Sequence, residues 1–141
     1  MQIVIVAPVE ANHQLATAPS HLGLRLAAAT PPRYRVNVLH PQTPAALSQA
    51  TQREGTALYV LLWSIPLSSQ LVAWMVELAA QHTLLLAWRA PTPAPVAQLL
   101  EFCDAVVVGD IQRLWGRLLA DAESQRLLPC YAEIDIGAPV V

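Results

Sequence analysis

The feature that most constrains the fold is an unbroken apolar run, Ala57–Trp63 (ALYVLLW), which stops at Ser64. Runs of this length without polar alternation are typical of strands covered on both faces, although a buried helix would share the composition. The flanks favour a strand, because Glu54-Gly55-Thr56 is typical of a turn and Ile65-Pro66 interrupts both helix and ladder. Doubly covered strands occur in parallel sheets with helices on either side, so the run predicts an α/β protein.

Four further segments have the composition of strands. Ile3–Ala7 (IVIVA), Thr83–Trp88 and Ala105–Val108 are apolar almost throughout, whereas Tyr34–Leu39 (YRVNVL) alternates and indicates a half-exposed strand at the sheet edge. Their alternation with helical segments predicts a three-layer α/β sandwich. We expect a five-stranded parallel sheet of order 2-1-3-4-5, the flavodoxin-like or Rossmann-like arrangement.

The segments between these strands have helical patterns. In the clearest of them Asp110 is the predicted N-cap, and the apolar stripe comprises Ile111, Leu114, Trp115, Leu118 and Leu119. Ser20 and Ser68 are the predicted caps of two earlier helices, over His21–Ala29 and as far as Ala80. The core face of the first is predicted to carry Leu22, Leu26 and Ala29, and that of the second Leu71, Met75, Leu78 and Ala79, with Trp74 pointing elsewhere. Shorter helices are predicted from Thr43 to about Thr51 and near Pro95–Phe102.

The 141 residues suit one α/β domain over residues 1–128, followed by an extended tail over residues 129–141. Charged residues make up only 13%, about half the usual share. The eight basic residues are scattered, which disfavours nucleic-acid binding. No apolar run approaches the roughly 20 residues of a membrane helix, and the start MQIVIVAPVE has no basic leader region. We therefore expect a cytoplasmic protein without a membrane partner.

In doubly wound sheets, ligands lie beyond the carboxyl ends of the strands, near the point where the strand order reverses. The loops in that position supply the candidate ligand-binding residues. They are Ser64, Ile65, Ser68, Trp88, Arg89, Thr92, Gly109 and Asp110, with Pro8 and His13 as weaker candidates.

Several familiar chemistries do not fit those loops. A dinucleotide site requires glycines in the loop after the first strand, but there is none between Ala7 and Ala16. The same loop, PVEANHQLATAPS, also lacks the phosphate-binding pattern of flavodoxins. The strand ends lack the acidic cluster of a phospho-receiver domain, and the chain has no Gly-Lys pair for a P-loop. The histidines show no metal-ligand spacing, and Cys103 and Cys130 form no CxxC pair, so we expect core or free thiols. No nucleophile–base pair can be named, so catalysis by this chain alone is not expected.

Five segments together resemble the N-terminal cobalamin-binding-like domain that precedes the catalytic barrel in many radical S-adenosylmethionine proteins. They cover about residues 1–131 and share order and spacing with the landmarks of that family. The segments are MQIVIVAPVE, PSHLGLRLAAAT, YRVNVLHPQ, LYVLLWSIPLSSQLVAWMVELAA and DAVVVGDIQRLWGRLLADAESQRLLPCY. The resemblance implies a flavodoxin-like fold and a corrinoid ligand held by the loops named above.

The chain departs from that family at informative positions. The Gly-Gly-x-His turn after the fourth strand is replaced by Ala87-Trp88-Arg89-Ala90, where tryptophan is expected to hinder close approach of a cofactor. The acidic Gly-Glu-Gly-Glu segment has become Gly109-Asp110-Ile111-Gln112. The Asp-x-His-x-x-Gly motif of cobalamin carriers is absent around His13, and so is the cluster-binding CxxxCxxC. This chain therefore has no iron–sulfur site for radical chemistry.

Two functions remain open at this point. The first is a non-catalytic, cobalamin-binding-like accessory domain, which either binds a corrinoid or has degenerated and no longer binds one. Such a domain would be either free-standing or part of a longer radical enzyme. The second is a protein–protein interaction or homo-oligomerising module without a small-molecule ligand, which the low charge and the four tryptophans favour. A small hydrolase or transferase is disfavoured, because no catalytic pair is available.

Overall fold

A computed structural model describes residues 2–7, 19–39, 57–63, 69–79, 83–90 and 93–132. Strands and helices alternate along these residues. The strands are β1 (Gln2–Val6), β2 (Arg35–Leu39), β3 (Ala57–Trp63), β4 (Thr83–Trp88), β5 (Ala105–Val108) and β6 (Cys130–Ala132). The helices are α1 (Pro19–Ala28), α2 (Ser69–Ala79), α3 (Val96–Leu99) and α4 (Ile111–Glu123).

The strands form one parallel sheet in the order β2-β1-β3-β4-β5-β6. The predicted α/β class, parallel sheet and order of the first five strands are confirmed. The predicted strand number is wrong, because the supposed tail supplies a sixth strand beside β5. That strand has three residues, of which only Tyr131 is buried, so it was too short to show a period in the sequence. The residues after Ala132 lie outside the described part.

Each face of the sheet supports its own core. On one face, α1 and α4 pack through residues such as Leu26 and Trp115. On the other, α2 and α3 pack through residues such as Met75 and Leu99. Successive residues of a strand point to opposite faces, so β3 and β4 supply both cores and are apolar almost throughout. This double burial is the reason for the unbroken apolar runs.

The element boundaries agree with the sequence predictions to within a residue or two, apart from the shorter α3. The strand β2 is half exposed and lies at the sheet edge, as its alternation predicted. The predicted stripe of α4 is buried in full. Ser20 lies inside α1 rather than capping it, and Ala29 is exposed. The helix predicted from Thr43 and the cap Ser68 lie outside the described residues.

Trp74 corrects one prediction about α2. The side chain was expected to point away from the core, but it is 1% exposed and packs with Leu71, Met75 and Leu78. The reason is that α2 packs over the sheet with a wider face than the predicted four-residue stripe. No helix in the described part of the chain has the length and apolarity needed to span a membrane.

The crossover from β5 to β6 has the opposite hand to the other described crossovers. The steps from β3 to β4 and from β4 to β5 run in one direction along the sheet, with α2 and α3 on one face. The step from β5 to β6 runs in the same direction, yet α4 lies on the other face. Right-handed crossovers are by far the commoner form, so the β5–α4–β6 unit is left-handed.

The end of α4 explains how the chain reverses toward β6. Gln125 has a positive φ of 57°, and its N–H donates to the carbonyl of Ala122. The N–H of Arg126 donates to the carbonyl of Asp121 at 2.7 Å. These two bonds form a Schellman motif, with glutamine at a position that usually favours glycine. The motif ends α4 and turns the chain back along the sheet.

Polar contacts fasten α4 to the connection between α1 and β2. The indole Nε1 of Trp115 donates to the hydroxyl of Thr30 at 2.9 Å, and that hydroxyl donates to the carbonyl of Leu26 at 2.6 Å. The Tyr34 hydroxyl donates to the carboxylate of Glu123, which also pairs with Arg33 at 3.2 Å. Because buried donors and acceptors are costly to leave unpaired, these contacts hold α4 in register over the sheet.

Tyr131 fastens β6 in a similar way. Its hydroxyl donates to the Asp121 carboxylate at 2.6 Å and accepts from the Leu128 N–H at 2.9 Å. The guanidinium of Arg117 lies 5.3 Å from the centre of the Tyr131 ring and 3.7 Å from the Asp121 carboxylate. Burial, followed by the hydrogen bond to Asp121, raises the pKa of Tyr131 above its ordinary value of 10.0.

Substitution by alanine is expected to have opposite effects on stability at two of the glycines. A Cβ at Gly116 of α4 would meet nothing within 4 Å, so Gly116→Ala should stabilise the protein by about 1 kcal/mol through helix propensity and raise Tm by about 3 °C. A Cβ at Gly23 of α1 would lie 2.8 Å from Val38 Cγ1, so Gly23→Ala should destabilise by about 1 kcal/mol or more. Thermal unfolding of both variants tests this, and equal shifts of the same sign would contradict the packing of α1 on β2.

The Tyr131 contacts also predict a pH dependence of stability. Because the pKa is raised in the folded state, the contribution is fully present below pH 10 and is lost as pH rises through the higher folded pKa. Urea unfolding between pH 8 and pH 11 should show a steeper fall for the native protein than for Tyr131→Phe. The variant should already be weaker at pH 8 by about 1–2 kcal/mol, since Asp121 and Leu128 lose a partner. Parallel curves would contradict this assignment.

Candidate functional site

The carboxyl edge of the sheet is the place where a ligand site is expected. We use that name for the described residues at the ends of the strands: Ala7, Leu39, Trp63, Trp88–Ala90 and Val108–Asp110. The strand order reverses between β1 and β3, the neighbours from which the chain proceeds in opposite directions. Ligands of doubly wound sheets lie beyond the carboxyl ends at such a reversal.

The predicted site residues fall into two groups. Six of them, Pro8, His13, Ser64, Ile65, Ser68 and Thr92, lie outside the described residues. The other four, Trp88, Arg89, Gly109 and Asp110, follow or end the neighbouring strands β4 and β5. These four are therefore brought to one side of the carboxyl edge.

Trp63 and Trp88 end β3 and β4 as a pair in register. Both belong to the core beneath α2 and α3, with exposures of 0% and 3%. The N–H of Arg89 donates to the carbonyl of Trp63 at 2.7 Å, which extends the ladder by one residue. The indole of Trp88 thus closes the top of this core instead of projecting from the edge, and the prediction that it contacts a ligand stays a prediction.

The other face of the sheet ends in smaller side chains. Leu62, Ala87 and Val107 lie side by side in the ladder, and Ala7 extends the row on β1. All four belong to the core beneath α1 and α4. The bulk of Trp88 therefore lies on the α2 and α3 face, whereas the opposite face ends in a row of smaller, buried side chains.

The polar groups of the carboxyl edge come from the ends of β4 and β5. Arg89 is exposed directly after β4. Gly109 has a φ of 103°, which side chains rarely adopt, so glycine is needed for the chain to leave β5 and enter α4. The Asp110 carboxylate accepts a hydrogen bond from the Gln112 N–H at 3.0 Å and caps α4, as predicted. Asp110 is thus committed to the helix start, and Arg89 presents its charge to solvent.

One further feature of this edge was not anticipated. The indole Nε1 of Trp63 is buried and has no hydrogen-bond partner among the described residues. Most buried polar groups are paired, so an unpaired one calls for an explanation. The sequence carried no signal for it, because the apolar run of β3 shows that Trp63 is buried but not what surrounds its nitrogen.

The two cysteines have different surroundings. Cys103 packs against the α2 and α3 core, and its thiol lies 3.2 Å from the Leu99 carbonyl. Burial raises the pKa of Cys103 to about 12. Cys130 is exposed on β6. Within the described residues, no three His, Cys, Asp or Glu side chains are grouped so as to hold a metal ion.

Comparison of the chain with family models, curated proteins and solved structures gave no match.

The surroundings of the cysteines predict selective labelling. At pH 8, a thiol-specific disulfide reagent should modify Cys130 quickly, whereas Cys103 should react much more slowly in the folded protein because its thiol is partly buried and protonated. Counting modified thiols by mass in native protein, Cys130→Ser and Cys103→Ser tests this. Rapid modification of folded Cys130→Ser would show that Cys103 is accessible.

Proposed function

We propose that this chain is a non-catalytic, cobalamin-binding-like accessory domain that holds a corrinoid, or another broad flat ligand, at the carboxyl edge of its sheet. The observation that carries the proposal is the strand order, with its reversal between β1 and β3 and with Arg89 and Gly109 on the adjoining strand ends. On this proposal the catalytic chemistry is supplied by a partner domain of the radical S-adenosylmethionine type.

The width of the edge supports a broad ligand. Neighbouring strands lie about 4.8 Å apart, so the ends of β3, β4 and β5 span roughly 10 Å. A ligand that meets the loops after all three strands must extend at least that far. A flat macrocycle has this extent, and it could rest on the strand ends without entering either core.

Trp88 stands where the cobalamin-binding-like family has glycine in the turn after the fourth strand, and its position in the structure is relevant to ligand binding. Tryptophan in place of glycine was expected to hinder approach of a cofactor to the strand end. Its indole instead packs downward among the residues beneath α2 and α3. The indole of Trp88 therefore does not lie on the α1 and α4 side of the strand end, where the last row of side chains is smaller.

Arg89 is the described side chain best suited to anchor such a ligand. It is exposed beside the end of β4, and its guanidinium can donate several hydrogen bonds to amide, hydroxyl or phosphate oxygens. A corrinoid carries such acceptors around its rim. Arg89 would then hold the rim of the ligand, while the strand ends support its face.

The alternative proposal is a protein–protein interaction or homo-oligomerising module. All four tryptophans are buried within this chain, so their number no longer favours an interface. Among the described residues, the exposed large hydrophobic side chains are Leu24 in α1, Val76 in α2 and Leu128 between α4 and β6. We therefore place this alternative second.

Absorption titration with hydroxocobalamin and methylcobalamin tests the proposal. A saturable shift of the corrin bands is expected, and Arg89→Ala should weaken binding by about tenfold through loss of charge-assisted hydrogen bonds. Arg126→Ala is the matched control, because Arg126 is exposed beyond the far end of α4. Absence of any shift with native protein would refute the proposal, and a strict dimer by sedimentation would then favour the alternative.

A further inference from the structure

The helix α1 lacks the polar outer face that a helix at a protein surface usually has. Among its described side chains, the exposed ones are Leu24, Arg25 and Ala28, which share one face at helical spacing. Leu24 is 58% exposed, and the helix contains no acidic residue and no second arginine or lysine. Surface helices normally place charged and polar residues on the side away from the core, so the outer face of α1 is unusually apolar.

The outer face of α2 has the same composition with the opposite charge. Beyond the first two residues of the helix, the exposed side chains are Ala73, Val76 and Glu77, which again share one face. Val76 is 53% exposed, and Glu77 is the only charged residue of α2. Each of the two helices therefore presents one large aliphatic side chain, one alanine and one charge.

The longer helix α4 has a different outer face. Its exposed residues include Gln112, Arg113, Arg117 and Glu123, while its apolar stripe is buried. This is the usual division of a helix between core and solvent. The apolar outer faces are therefore a property of α1 and α2 in particular and do not follow from the low charge of the whole chain.

The outer faces of α1 and α2 point in opposite directions. The helix α1 packs on one face of the sheet and α2 packs on the other, so their outer sides lie on opposite sides of the molecule. Among the described residues, neither Arg25 nor Glu77 has an ion-pair or hydrogen-bond partner. The two charges cannot meet within one chain, but they can meet between two chains.

We propose that the outer face of α1 in one copy of this chain packs against the outer face of α2 in a second copy, with Arg25 paired with Glu77 and Leu24 beside Val76. Charge complementarity identifies the occupant, because each face carries the charge that suits the other. Contact between two α1 faces would bring the Arg25 side chains together, and contact between two α2 faces would do the same for Glu77. Repulsion between like charges disfavours both of these symmetric arrangements.

The proposed contact joins two different surfaces, so it does not close on itself as a two-fold dimer does. A pair of copies leaves one α1 face and one α2 face free, and further copies can add. Helices of 10 and 11 residues are only about 15 Å long, so the contact buries less than the roughly 1,200 Å² of the smallest stable interfaces. Association should therefore be weak, with a dissociation constant on the order of 0.1 mM.

This inference does not depend on the proposed corrinoid site, because neither outer face includes a residue of the carboxyl edge. Association through α1 and α2 requires no ligand and leaves the strand ends open. Corrinoid affinity should therefore be the same in every variant described below, and the absorption titration tests the proposed function separately.

Sedimentation velocity at concentrations well below and well above the expected dissociation constant tests the inference. The mean mass of the native protein should rise with concentration beyond that of a dimer. Arg25→Glu and Glu77→Arg should each weaken association by about tenfold, because like charges then meet. The chain with both changes, and an equimolar mixture of the two single variants, should associate within about threefold of native protein, because opposite charges meet again.

Two further variants complete the test. Arg126→Glu makes the same charge reversal outside both faces, beyond the end of α4, and should leave association within about twofold. Leu24→Gln keeps both charges and should weaken association by about fivefold through loss of apolar contact. All of these side chains are exposed, so the variants should fold, which circular dichroism checks; Leu24→Gln decides the outcome if a charge reversal does not fold.

Three results would overturn the inference. One is native protein that stays monomeric at every concentration. Another is a dimer that adds no further copies, which indicates a symmetric interface. The third is a loss of association in the single charge variants that neither the doubly changed chain nor the mixture restores, because Arg25 and Glu77 would then not face each other.

Discussion

The double burial of the central strands is the constraint on which the rest of the structure depends. With both faces of β3 and β4 covered, the side chains of Leu58–Trp63 and Leu84–Trp88 are buried, and the backbone groups of these strands must pair with neighbouring strands. Two consecutive strands that run parallel must be joined by a crossover connection that passes over one face of the sheet. The helices follow from this requirement, and so does the location of any ligand, because only the edges of such a sheet remain open.

The described polar side chains make different contacts at the amino and carboxyl ends of the strands. Near the amino ends of the strands, α4 is fastened by hydrogen bonds from Trp115 to Thr30 and from Tyr34 to Glu123. At the carboxyl ends, the described polar groups are either used in local turns, as Asp110 is, or directed to solvent, as Arg89 is. Among the described residues, the side-chain hydrogen bonds that join α4 to the connection between α1 and β2 therefore lie toward the amino ends of the strands.

The last crossover shows how specific contacts can override a general preference. A left-handed β5–α4–β6 unit is uncommon, and β6 has only three residues with which to offset that disadvantage. Tyr131 supplies the compensation, since its ring is buried against α4 and its hydroxyl bridges Asp121 and the Leu128 N–H. The Schellman motif around Gln125 directs the chain into this path. These contacts stabilise the position in which the sixth strand pairs with β5.

The pattern of apolar runs and amphipathic segments determined the α/β class, the parallel sheet, the edge position of β2 and the buried stripe of α4, because each depends on local periodicity. Tertiary structure alone decided the sixth strand, the burial of Trp74 and the face on which Trp88 packs. It also showed that the indole nitrogen of Trp63 is buried without a partner among the described residues, which the sequence periodicity does not indicate. Of the candidate site, the sequence located Arg89, Gly109 and Asp110 at strand ends. Their roles depend on which groups the fold pairs and which it exposes, and pairing between distant segments cannot be deduced from a one-dimensional pattern.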